Sequence, residues 1–120
     1  MNNILLSVTV LFFISGCTNQ PVVNPNRVVG FNSDIRPILA GNCAASGCHG
    51  SSALGINEFP LVTYEEVINN GGINVQKPER SKLYKAITRN DEQQMPPNGK
   101  MTDAQIEIIY NWINQGAENN

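Results

Sequence analysis

Apolar positions in this chain recur at helical spacing and show no sustained alternation of the kind a sheet would need. Residues 33–41 place Asp34 early, put Ile35, Ile38 and Leu39 on one side, and end on Gly41, with Pro37 tolerable only inside a first turn. Residues 63–69 open on Thr63 and Glu66, the spacing of a capping box. Residues 81–89 put Leu83, Ala86 and Ile87 on one face. Residues 102–116 carry the clearest pattern. Thr102 and Gln105 form a second capping box, Ile106, Ile109, Tyr110 and Ile113 make a stripe, and Gly116 ends it. Gly/Pro-rich loops at 50–62, 70–80 and 90–100 separate these stretches. The pattern predicts an all-α domain of about four short helices, with loops long enough to need something to pack against.

The first apolar run, residues 4–14, is of another kind. It is too short for an ordinary spanning helix and has the length of a secretory h-region. Ile14-Ser15-Gly16-Cys17 follows it and resembles the bacterial lipobox, whose Cys becomes the lipidated first residue of the mature chain. That resemblance implies a signal peptide at 1–16, a lipid anchor on Cys17 and a place in the cell envelope on the periplasmic side. With Thr18 rather than Asp after the Cys, sorting leans to the outer membrane. An uncleaved anchor, or a buried strand with an incidental Cys, is the plainer alternative. Residues 17–30 hold Pro21, Pro25, Asn19, Asn24 and Asn26 without helical period and are expected to be a flexible tether.

Composition narrows the function. In 120 residues, Lys and Arg number 8 against 10 Asp and Glu, so no basic excess points to nucleic acid. The chain has three Cys and a single His, which limits every metal hypothesis.

The chemistry centres on Cys43-Ala44-Ala45-Ser46-Gly47-Cys48-His49. A haem attachment site needs two thiols to add across the vinyl groups and an imidazole immediately after the second, so that the ring falls under the iron. Four residues separate the cysteines here, where two are usual. At this point the chain resembles cytochrome c, with an enlarged C-x4-C-H loop whose extra residues must bulge outward. Small side chains and Gly47 make that sterically easy. A Cys43–Cys48 disulfide in an oxidising compartment is one alternative. Zinc is another, though two Cys and one His leave a closed site a ligand short.

Methionine thioether is the usual sixth ligand of an electron-transferring haem c. Signal cleavage leaves Met95 and Met101. Met95 lies in the extended Gln93-Gln94-Met95-Pro96-Pro97 loop, a poor core element. Met101 precedes the Thr102 cap and is explained by packing on Ile106 as a hydrophobic staple. Haem motif, Met-Pro-Pro loop and a final helix with Trp112 together resemble the compact, class I-like monohaem cytochrome c family over residues 31–118. The resemblance implies thioether attachment at Cys43 and Cys48, His49 as proximal and Met95 as distal iron ligand. It also implies terminal helices, 33–41 and 102–116, crossing beside one covalent haem c. Phe31, Leu39, Tyr84, Ile109 and Trp112 are the expected core and haem-wall residues.

The function implied is outer-sphere electron transfer between redox partner proteins at a membrane surface, without enzyme activity and without a small-molecule substrate. The rivals are a cofactor-free structural lipoprotein with the Cys43–Cys48 disulfide, and a haem sensor or enzyme with an open distal site. Lys82, Lys85 and Arg89 share a helical side, with Lys77 and Arg80 just before it. This side is either a docking face for an acidic partner or a solvated amphipathic helix. If it docks a partner, exchanging Lys82 and Lys85 for Glu slows electron exchange at low salt. An unchanged rate assigns the helix to solvent.

Overall fold

What orders the domain is an aromatic cluster that ties its first turn to its last helix. In the computed structural model, which describes residues 24, 26–44, 48–50 and 59–120, the Phe31 ring packs 5.3 Å from Tyr64 and 5.7 Å from Trp112. A π-helical turn, Phe31–Ile35, runs directly into α1, Arg36–Asn42. Pro37 falls in the first turn of α1, where its missing N–H costs nothing. The helix passes Gly41 by one residue and hands the chain to Cys43, whose N–H still bonds the Leu39 carbonyl.

The remaining helices follow the capping signals. In α2, Tyr64–Asn70, both arms of the Thr63/Glu66 capping box are made. A 3₁₀ turn, Pro78–Arg80, leads into α3, Lys82–Thr88, which buries Leu83 and Ile87. In α4, Asp103–Asn114, the Thr102/Gln105 box closes the start and Ile109, Trp112 and Ile113 are buried. Met101 is also buried, as a staple requires. Past α4 the chain turns back through Gly116 (φ 107°) and Ala117 (φ 52°). The Ala117 and Glu118 carbonyls then accept hydrogen bonds from Tyr64 Oη (2.8 Å) and Trp112 Nε1 (3.0 Å). The domain is all-α, with no strand among the described residues. No helix among them is long and apolar enough to cross a membrane.

The N-terminal boundary differs from the expectation. Residues 1–23, including Cys17, lie outside the described residues, but the end of the expected tether is sewn to the domain. Val29 is buried and donates to Gln115 Oε1 (2.9 Å), while Gln115 Nε2 donates to the Arg27 carbonyl (3.0 Å). Asn120 accepts from the Phe31 and Asn32 N–H groups. Arg27 pairs with Asp34, which also accepts from the Gly30 N–H. Partial burial pushes the Asp34 carboxyl up, but these donors outweigh it and hold it below the ordinary range. Apolar Val29 has a slot to fill, so the residues packed on the domain include 27–30 and not only those from 31 on.

Losing the α4 cap tests this account. Thr102→Ala is expected to cost about 1 kcal/mol, read as a melting-temperature drop of roughly 4–8 °C in a domain of this size.

Candidate functional site

The site is built where α1 ends. The Cys43 carbonyl accepts the His49 N–H at 3.0 Å, which brings the two ends of the cysteine segment together. The expected outward bulge falls on residues 45–47, outside the described residues. His49 is held twice by the next segment. Its carbonyl accepts the Leu61 N–H (2.8 Å), and its ring Nδ1 lies 2.7 Å from the Phe59 carbonyl. A carbonyl can only accept, so Nδ1 carries the proton and a neutral ring keeps its lone pair on Nε2. That is the tautomer a metal-binding imidazole with an outer carbonyl partner adopts.

Segment 59–63 is itself anchored. Asn70 Nδ2 donates to the Pro60 carbonyl at 2.8 Å. The Glu66 carboxylate accepts from the Thr63 and Val62 N–H groups at 2.9 and 3.0 Å. These two backbone bonds, Thr63 first, hold the Glu66 carboxyl below its ordinary value.

Met95 arrives from the other side. Asp91 organises its loop by pairing with Arg89 (2.8 Å) and accepting the Gln93 N–H (3.0 Å). The Arg89 contact, then the Gln93 bond, hold the Asp91 carboxyl below the usual range. The Met95 N–H then bonds the Ala86 carbonyl of α3 at 2.9 Å, fixing the residue beside the helix.

These pieces converge on one cavity of about 350 Å³, the size of a small-molecule or cofactor site. Cys43, His49 and Met95 all line it, against Phe59, Leu61, Leu83, Ala86 and Ile87. Lys82 and Arg89 are its charged lining residues. Cys48, next to His49, is exposed, and both cysteines are free thiols. Burial, and then the neighbouring Cys48, push the Cys43 thiol up to about 11, so it is protonated at neutral pH.

The expected wall needs correcting. Phe31, Leu39, Ile109 and Trp112 are buried in the core and Tyr84 packs on Tyr110 (5.3 Å), but none of the five lines the cavity. The wall comes from α3 and segment 59–61. The face Leu83, Ala86 and Ile87 was legible as a helix face. Phe59 and Leu61 lay in what read as a loop, and only their apolar character signalled them.

Among the described residues no three His, Cys, Asp or Glu side chains converge as a metal-binding group. A porphyrin iron brings four nitrogens of its own and asks the protein for two axial ligands. One oriented imidazole, one thioether, a cysteine in the wall and apolar sides suit that demand. No protein-family model matches the chain, and no curated protein or solved structure matches it either.

Acidification tests the anchoring of segment 59–63. A carboxyl whose folded pKa is lowered stabilises the fold above its unfolded pKa, and that contribution is lost as pH falls through the folded value. Glu66→Gln is therefore expected to be less stable than wild type at neutral pH, with the gap closing in acid. Urea unfolding at a series of pH values measures it.

Proposed function

We propose that this chain is an electron-transfer protein carrying one covalent haem c with His49 and Met95 as axial ligands. The observation that carries the reading is that the single imidazole and the Met95 side chain line one apolar cavity, with the imidazole already fixed through Nδ1. Bound there, the group supplies a one-electron Fe(III)/Fe(II) couple.

The chain's own residues do the rest. Cys43 and Cys48 hold the group by thioethers, each thiol adding its sulfur and hydrogen across a vinyl double bond. His49 offers Nε2, and the Phe59 carbonyl on Nδ1 orients the ring and raises its basicity. Met95 offers a soft sulfur that favours the reduced state. Leu61, Leu83 and Ile87 exclude water, which penalises the extra charge of the oxidised state. His49 and Met95 together would hold the group from both sides and leave no position for a substrate, so the activity would be electron exchange with redox partner proteins. The compact cytochrome c fold over 31–118 belongs to the same reading. So does the lipid on Cys17, which tethers the domain on the periplasmic side of the outer membrane.

The test is a visible spectrum of the chain expressed with a haem c maturation system. Wild type is expected to show a reduced low-spin α band, and Met95→Ala to lose the far-red thioether–iron band of the oxidised form. A colourless protein whose mass fits an internal disulfide makes it a cofactor-free lipoprotein. A red protein whose low-spin spectrum Met95→Ala leaves unchanged excludes Met95 as the distal ligand, and a high-spin wild type leaves the distal position open, as in a sensor or enzyme.

A further inference from the structure

On the reading above, we infer that Asn70 is a positioning residue for the iron-facing imidazole, acting through Pro60 and Phe59. The Phe59-Pro60 pair presents two carbonyls and, because Pro lacks one, a single N–H. The Phe59 carbonyl takes the His49 Nδ1 proton at 2.7 Å. The Pro60 carbonyl takes the Asn70 side-chain N–H at 2.8 Å. Since Pro60 O can only accept, the Asn70 nitrogen is the atom that faces it.

Asn70 is the last residue of α2, and that helix end is rigid. The Gly71 carbonyl accepts the Leu83 N–H at 2.8 Å, and a Cβ on Gly71 would lie 2.4 Å from the Val67 carbonyl and 3.4 Å from Leu83 Cβ. α2 is therefore locked to the start of α3, and α3 in turn holds Met95 through the Ala86 carbonyl. Asn70 closes a continuous line of contacts from Met95 to His49, in which its amide joins the His49 support to the helix pair. Asn70 also lines the cavity itself.

An outer carbonyl that is held firmly keeps the imidazole proton shared and the ring basic, which favours oxidised iron. Loosening that carbonyl lowers the basicity and favours the reduced form. Removing an outer partner directly typically costs about 10–100-fold. Asn70 stands one contact further out, so roughly a threefold shift of the redox ratio toward the reduced form is expected, given that tenfold corresponds to 59 mV for one electron.

The experiment uses the haem-loaded full-length chain, wild type and Asn70→Leu, with two readouts. One is the reduction potential. The other is the exchange rate of the His49 Nδ1 proton by NMR, which a purely structural role for Asn70 leaves unmoved. Asn70→Leu is expected to keep its covalent haem, raise the potential and speed that exchange several-fold. Should Asn70→Leu fail to fold, Asn70→Asp, isosteric and without the N–H donor, is read by proton exchange alone, because its charge shifts the potential by itself. Covalent haem with unchanged proton exchange overturns the role of Asn70 and leaves the function standing. A wild-type chain without covalent haem overturns both, before any variant is made.

Discussion

The hydrogen bond between His49 Nδ1 and the Phe59 carbonyl is the contact on which the site turns. A chain with one imidazole cannot correct a misplaced ring with a second. The carbonyl does three things together: it fixes the ring plane, chooses the tautomer and leaves Nε2 as the free lone pair. It works only if the carbonyl is itself immobile. Phe59 precedes a proline, which confines it to extended backbone, and the residues after it are tied to His49, α2 and the Glu66 carboxylate. Much of the polar bonding around α2 serves to hold one short segment still.

Core and cavity divide the apolar side chains between them. Phe31, Tyr64 and Trp112 join the first turn to α2 and α4 through edge and tilted ring contacts, and the chain ends are stitched by Gln115 and Asn120. α3 serves both: Leu83 and Ile87 belong to the core cluster and also form the cavity wall. A group filling the cavity therefore packs on the same residues that join α3 to the rest. In a domain of this size the added burial contributes to folding as well as to binding.

The helices were legible because their signals are local. Capping boxes three residues apart, a 3.6-residue apolar period and a terminal glycine need no knowledge of the remainder of the chain, and the last three helices lie within two residues of the sequence reading, while the first starts three residues later, after a π-helical turn. The convergence of Cys43, His49 and Met95 followed from chemical type, since few thioethers and one imidazole were available. The support was not legible. Nothing in the sequence says that Asn70 reaches Pro60, or that Phe59 lends its carbonyl to a ring ten residues before it, because backbone carbonyls carry no sequence signature. Phe31, Leu39, Tyr84, Ile109 and Trp112 were expected in core and wall together from the resemblance, and four of the five are core. Size predicts burial, but not which side of α3 a ring will occupy, and Phe31 and Trp112 found each other instead. Arg27 to Gly30 read as tether because the stretch they end holds Pro and Asn without helical period, and the burial of Val29 involves Gln115, 86 residues on.

The enlarged spacing between the cysteines bears on the reading most directly. With the usual two intervening residues, the first Cys and the His lie a helical turn apart and a carbonyl-to-amide bond between them is ordinary helix geometry. Here the same two residues are six apart, yet the Cys43 carbonyl still meets the His49 N–H at 3.0 Å. The distance between thiol and imidazole along the chain has grown while the two ends of the segment still meet. A closed zinc site would ask for a further ligand besides the two cysteines and the one imidazole. For a group that must be gripped by Cys43 and faced by His49 on one wall, closure is the requirement that matters. The buried, protonated Cys43 thiol then stands in an apolar wall that His49 also lines, and on the proposed reading a macrocycle with its own nitrogens would supply what the site lacks in ligands.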